Sequence, residues 1–201
     1  MEQETLFTSS KWDILKCLEA GKKSPIDLAR DARTSVANIS QQLRLLELAG
    51  FVRSERVSNR DKGLPRVLYS LSDNYSYLVL SSPGFVNKKF MKLQEFQKMV
   101  LRLWFVDNVS LHYYLEKYFW SVERFLDRVD FFGFDFSDTN NIKVIILSEN
   151  SDVKKGMKEV NVDGKDGTKN FAVVFCKESD IRKNFSKYYV VHDPKNLCAL
   201  K

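Results

Sequence analysis

The sequence predicts an α+β protein, and three observations carry that prediction. The first seventy residues read as three short helices followed by a hairpin. The middle reads as long amphipathic helices, and the last third as β-branched runs around one short helix, a small α/β domain. The expected domains are therefore 1–82, 83–136 and 137–201.

The first helix is marked by Ser10-Lys-Trp-Asp13, where a hydroxyl and an acid three residues apart can satisfy orphan amides as a capping box. Trp12, Ile14, Leu15 and Leu18 then supply an apolar stripe, and Gly21 ends it. In "SPIDLARDA", Ser24 is the cap, Pro25 the first helical residue, and Asp27 completes a second capping box.

The third helix lies in "RTSVANISQQLRLLELAGFV". Ser35 can cap it, and Val36, Ile39, Leu43 and Leu46 fall on one stripe at 3-4-3 spacing. Ala37, Asn38 and Gln41 point the other way with Arg44 beside them, and Ser40 and Gln42 flank the stripe. No acid occurs between Asp31 and Glu47, so a polyanion can approach this face. Ordinary solvated faces are rich in Glu and Lys. After Gly50, "FVRSERVSN" and "RVLYSLSD" read as two antiparallel strands around "RDKGLP", a basic tip with Arg60, Lys62 and Arg66.

Phe85 to about Val106 reads as a longer helix, with Leu93, Phe96, Val100 and Leu103 in near-heptad spacing and Phe90 and Trp104 widening the stripe. A lone apolar stripe needs a partner, and these six residues are the expected homodimer contact. "SLHYYLEKYFWSVERFLDRV" is a second amphipathic helix, and "FFGFDFSDTNN" closes the region with turn formers. Beyond it, "IKVIILSEN", "FAVVFCKES" and "YYVVHDP" read as strands, "DIRKNFSK" as a short helix, and "NVDGKDGTKN" as an exposed turn.

Composition narrows the function classes. The net charge is +6, and Gly21 to Ser70 holds ten Lys and Arg against five Asp and Glu, whereas Pro83 to Asn140 holds eight of each. The positive excess therefore surrounds the third helix and suits an anionic partner. Cys17, Cys176 and Cys198 are odd in number and far apart, and His112 and His192 have no ligand-type neighbour at metal-site spacing. Neither a metal nor a cofactor is expected. The longest apolar runs fall short of the ~20 residues a membrane helix needs. The polar start "MEQETLFTSSKWD" is unlike a secretory signal, so the expected location is cytoplasmic.

The stretch "SPIDLARDARTSVANISQQLRLLELAGFVRSERVSNRDKGLPRVLYSLSD" resembles the winged helix-turn-helix of ArsR-like transcription regulators, particularly archaeal ones, over about Ser9 to Asp73. The resemblance implies that helix 35–48 enters the major groove of double-stranded DNA and that the wing, 53–70, lies on the backbone. It implies DNA contacts from Thr34, Ser35, Asn38, Ser40, Gln41, Gln42, Arg44, Arg60, Lys62 and Arg66. Amides there suit adenine edges and cations suit phosphates. A homodimer would read a palindromic site. Two departures stand out. Arg33 occupies a turn position where the family often has Gly, and the cysteine and histidine ligands of metal- or redox-sensing members are missing, leaving the effector unknown. The C-terminal segment resembles minimal nucleotidyltransferase domains, which need a Gly-Ser turn and paired acids, D-x-D. Here Asp135 and Asp138 precede the strand and none alternates along it. The expectation is no enzyme activity; the alternative is a nucleotidyltransferase-like or toxin-antitoxin component with the winged helix as accessory.

Overall fold

A computed structural model describes residues 8–58 and 66–198. They form two units, one ending at Gln94 and the other beginning at Glu95. The architecture is α+β: an N-terminal helical bundle with a strand hairpin, then a C-terminal sheet domain.

In the first unit, α1 (Ser9–Glu19), α2 (Pro25–Asp31) and α3 (Val36–Leu48) precede the wing strands β1 (Val52–Val57) and β2 (Arg66–Leu71). Helix α1 starts from Thr8, not from Ser10, and its cap makes no side-chain bond. The buried positions are Ile14 and Leu18, with the stem of Lys11 beside them, while Trp12 is half exposed. One arm of the expected second capping box forms: Ser24 Oγ accepts from the Asp27 amide at 3.2 Å, while the Asp27 carboxylate accepts from the Ser24 hydroxyl at 2.6 Å and does not close the box on the Ser24 amide. Ile14, Leu18, Leu28, Ala29, Ile39, Leu43, Leu46, Phe51 and Val52 make one core. The first residue of the expected stripe, Val36, stays exposed at the helix start. Lys23 in the α1–α2 connection pairs with Tyr69 of β2 through both backbone bonds, 3.0 and 2.8 Å, fastening the wing to the helices.

The region expected as a helix from Phe85 begins instead as a strand. β3 (Tyr75–Ser82) and β4 (Phe85–Lys92) form an antiparallel hairpin joined by Pro83 and Gly84. Gly84 at φ 83° supplies the left-handed turn residue that brings Ser82 opposite Phe85. Phe90 faces Tyr77 across the ladder and stacks on Tyr75, with centroids 5.2 Å apart, against Phe51 of the first core. The expected boundary at 82/83 thus falls in the turn of a hairpin within one unit.

The second unit starts with α4 (Glu95–Trp104) and α5 (His112–Val122), the latter preceded and followed by 3-10 turns at Val109–Leu111 and Glu123–Arg128. Strands β5 (Phe131–Asp135), β6 (Asn141–Leu147), β7 (Val160–Gly164), β8 (Gly167–Phe175) and β9 (Tyr189–His192) form one sheet in the order β7-β8-β6-β5-β9. Only β6 and β8 run parallel. Short helices α6 (Ser151–Gly156) and α7 (Glu178–Asn184) complete the unit. The expected boundary at 136/137 separates β5 from β6, which are paired neighbours. The turn-rich reading of "FFGFDF" is replaced by β5, whose Phe131, Phe132 and Phe134 are fully buried.

β6 explains the unbroken apolar run. Ile142, Val144 and Ile146 join the main core with Tyr118 and Phe119 of α5, while Ile145 and Leu147 join a second cluster with Phe131 and Ile181 on the other face. Tyr118 stacks on Phe171 at 4.6 Å.

Four of the six expected dimer contacts also belong to this unit. Leu103 is fully buried, and Phe96 and Val100 pack against the same core. Trp104 is half exposed, and its indole N–H donates to Glu116 at 2.6 Å. Together with Leu93, which is buried after β4, and Phe90, these side chains form no single stripe. The near-heptad spacing is that of an intramolecular helix contact, α4 against α5, joined by chance to strand residues upstream.

Candidate DNA interface

The site begins at the turn between α2 and α3. Thr34 N donates to Ala29 O at 3.0 Å and Arg33 N to Arg30 O at 3.3 Å, the paired bonds of a Schellman motif. That motif needs a left-handed residue, and Arg33 takes it at φ 52°. Arg33 is exposed, at the entrance to α3. The far end of α3 closes in the same way, with Phe51 N donating to Leu46 O at 2.9 Å and Gly50 at φ 81°.

Ser35 caps α3, its Oγ accepting from the Asn38 amide at 3.2 Å. The amide side chains are then sorted by position. Asn38 Nδ2 donates to Thr34 Oγ1 at 3.1 Å, and Gln42 Nε2 donates to Asn38 Oδ1 at 3.3 Å, an i, i+4 ladder along the flank. Gln42 Oε1 is buried without a partner. Ser40 Oγ donates to Val36 O at 2.8 Å. Gln41 and Arg44 are exposed and make no hydrogen bond among the described residues. Of the sequence-selected residues on this helix, these two are the ones whose polar ends point outward uncommitted.

The electrostatics reinforce the asymmetry. Asp27 pairs with Arg30 at 2.8 Å, Asp31 with Lys23 at 2.5 Å, Glu55 with Lys22, and Asp73 with Lys92. The Ser24 hydroxyl holds the Asp27 carboxyl below its usual range, and Lys22 and Lys92 do so for Glu55 and Asp73. Glu47 accepts from the Ser54 amide and hydroxyl at 3.2 and 2.6 Å. Lysines and one arginine thus pair with Asp27, Asp31, Glu55 and Asp73, and Ser54 holds Glu47, whereas Arg33, Arg44, Arg56 and Arg66 are exposed with no ion pair among the described residues. Arg53 lies on β1 with its Nε 3.4 Å from Ser70 Oγ.

Arg60 and Lys62 fall outside the described residues, so the wing contribution rests on Arg53, Arg56 and Arg66. Arg33, Arg53 and Arg56 are candidates that the sequence choice did not include. The signal for Arg33 was present, because a residue forced into the left-handed region at a helix start carries its side chain away from the core.

In the second unit, a small recess lies among Asp135, Ser137, Asp138, Asn141 and Lys143. Asp135 accepts from the Ser137 amide and hydroxyl, and Asp138 from the Asn140 and Asn141 amides at 2.9 and 3.3 Å. Both carboxylates shape their own loop. Lys143 and Asn141 stand at the alternate positions where paired acids would be needed.

Residues 8–54 match the family model described as bacterial regulatory protein, arsR family. The match covers the three helices and the start of the wing, so this segment is similar to the helix-turn-helix of that family, a similarity that supports DNA binding and transcription regulation. No curated protein matches the chain. Among the described residues, no helix is long and apolar enough to cross a membrane.

Proposed function

We propose that this protein is a sequence-specific regulator that lays α3 in the major groove of double-stranded DNA and rests β1 and β2 on the backbone. The observation that carries the reading is the outer face of α3 from Val36 to Leu46, which holds no acid and is bordered by exposed arginines, while Glu47 beyond it is held by Ser54 and nearby carboxylates by Lys22, Lys23 and Lys92. Gln41 reads a base edge and Arg44 and Arg66 meet phosphates; Asn38 and Gln42 hold the helix surface in shape unless their ladder opens on binding. A palindromic target follows if two copies bind together. Leu103 is then no part of the surface joining them, because it is buried within the chain.

Selection of bound duplexes from a random pool tests the reading directly, and enrichment of one sequence is the expected result. On that sequence, Gln41→Ala costs roughly 1–3 kcal/mol of discrimination at one base pair. Arg66→Ala weakens all duplexes alike and lowers the salt slope by about one. A pool that enriches nothing would sink the proposal. The reading assigns no chemistry to the C-terminal unit, and nucleotide turnover lost in Asp135→Ala would revise that.

A further inference from the structure

The second unit contains a cleft of about 930 Å³ where α4, the end of α5 and β9 meet. This is the size range of sites that enclose small organic ligands. Its floor is apolar, formed by Met99 and Leu126, both buried, and its wall is aromatic. Phe96 and Trp120 stand with ring centroids 5.7 Å apart, and Trp120 is 50 % exposed, leaving an indole surface open to the cleft.

The polar lining is biased in sign. Glu95, Glu123 and Asp127 contribute three carboxylates against one cation, Arg124. The Arg124 guanidinium lies 4.7 Å from the Phe125 ring centroid and so is drawn toward that ring. Glu95 is met by Lys98 at 2.6 Å and Asp127 by Arg128 at 3.4 Å, but Glu123 makes no ion pair among the described residues.

At the back of the cleft, His192 is 7 % exposed and its Nδ1 is buried without a hydrogen-bond partner, 3.7 Å from Glu95 Oε2. A buried ring nitrogen in that state is costly. Burial also holds the imidazole below its ordinary value of 6.5, so the ring is neutral at pH 7 and brings no positive charge to the cleft. Glu95, half exposed on its outer side, lies across that nitrogen.

We propose that this cleft binds a small organic cation with an aromatic body. The flat body lies on Trp120 and Phe96, where cation and ring quadrupole also attract each other. Its ammonium or amidinium end is drawn to Glu95 and Glu123, beside the unpartnered Nδ1 of His192. An anion of the same shape meets the carboxylates and is rejected.

Calorimetric titration of the full chain with 1-naphthylmethylammonium, and separately with 1-naphthoate, tests this. The cation is expected to bind with a Kd below about 1 mM and the carboxylate at least roughly tenfold more weakly. Trp120→Ala should weaken cation binding about 3- to 30-fold. The conservative Glu123→Gln should also weaken it, whereas Tyr113→Ala, at an exposed position outside the cleft lining, should leave it unchanged. Equal binding of the two probes, no saturable heat below about 10 mM cation, or an unchanged Trp120→Ala each overturns the proposal.

Discussion

Arg33 shows how one residue can serve conformation and charge at once. Its φ of 52° is a region that costs a non-glycine residue about 1–2 kcal/mol, and the α2–α3 turn imposes it. Arg33→Gly should therefore raise the denaturant midpoint of the first unit by the equivalent of about 1 kcal/mol, less the greater freedom glycine has when unfolded. If Arg33 also meets phosphate, the same variant should lower the salt slope of DNA binding by about one; a more stable protein with an unchanged slope would confine Arg33 to the turn. His192 is a second residue whose environment sets its behaviour. Its folded pKa lies below 6.5 chiefly because of burial, with Lys98 and Arg102 acting in the same direction and Glu95 and Asp193 opposing. The native state thus binds fewer protons than the unfolded state just below 6.5, so this stability is complete above that pH and is lost as the pH falls through it. Urea midpoints of the second unit should be lower near pH 5.5 than near pH 7.5, and His192→Gln should flatten the difference. The strain at Arg33 was legible from its place between two capped helices. The burial of His192 was not, because "YYVVHDP" alone does not show that the strand end is covered by α4.

At the scale of elements, spacing was reliable where one surface decided it. α2 and α3 follow their caps and stripes because Ser24 and Ser35 satisfy their starts at the same register in which Leu28 and Ala29, and Ile39, Leu43 and Leu46, face the core. The flank of α3 was less legible: the sequence marks Asn38 and Gln42 as candidate base readers but does not show that i, i+4 spacing also ties Gln42 Nε2 to Asn38 Oδ1 and Asn38 Nδ2 to Thr34. The stripe from Phe90 to Trp104 misled for a different reason. Phe90 lies on β4, Leu93 in the connection and Phe96 on α4, so strand and helix contributed to one apparent period, while Tyr75–Ser82 supplied the ladder partner that local spacing cannot reveal. A definite expectation separates the two interpretations. Leu103 is fully buried against α5 and its core, so Leu103→Ala should destabilise the second unit by about 2–5 kcal/mol. The mass in light scattering should be the same as for the unaltered chain at equal concentration. A variant with native stability but a reduced mass would return this residue to an interface.

At the scale of the whole molecule, the α+β order was legible because period changes along the chain: helical stripes first, apolar runs last. What could not be read was which strands share a sheet. "FFGFDF" has the Gly and Asp of a turn, yet becomes β5, because β6 and β9 pair with its backbone on either side while Phe119 and Tyr118 meet Phe132 and Phe134 on one face and Tyr188 meets Phe131 on the other. The result is two separate cores, one built on Ile39, Leu43 and Leu46 and the other on Tyr118, Phe134 and Phe171. Each has its own fully buried side chains, so each unit should lose its cooperativity through its own residues. Phe171 is fully buried and stacked on Tyr118; replacing it with alanine removes a ring from the centre of the second core and should cost about 3–5 kcal/mol there. Leu43→Ala should cost about 2–5 kcal/mol in the first core. Native-state hydrogen exchange resolves the two: Phe171→Ala should accelerate amides of β5, β6 and β8 while those of α3 keep their protection, and Leu43→Ala should do the reverse. Loss of protection throughout the chain from either variant would mean that the two cores unfold as one.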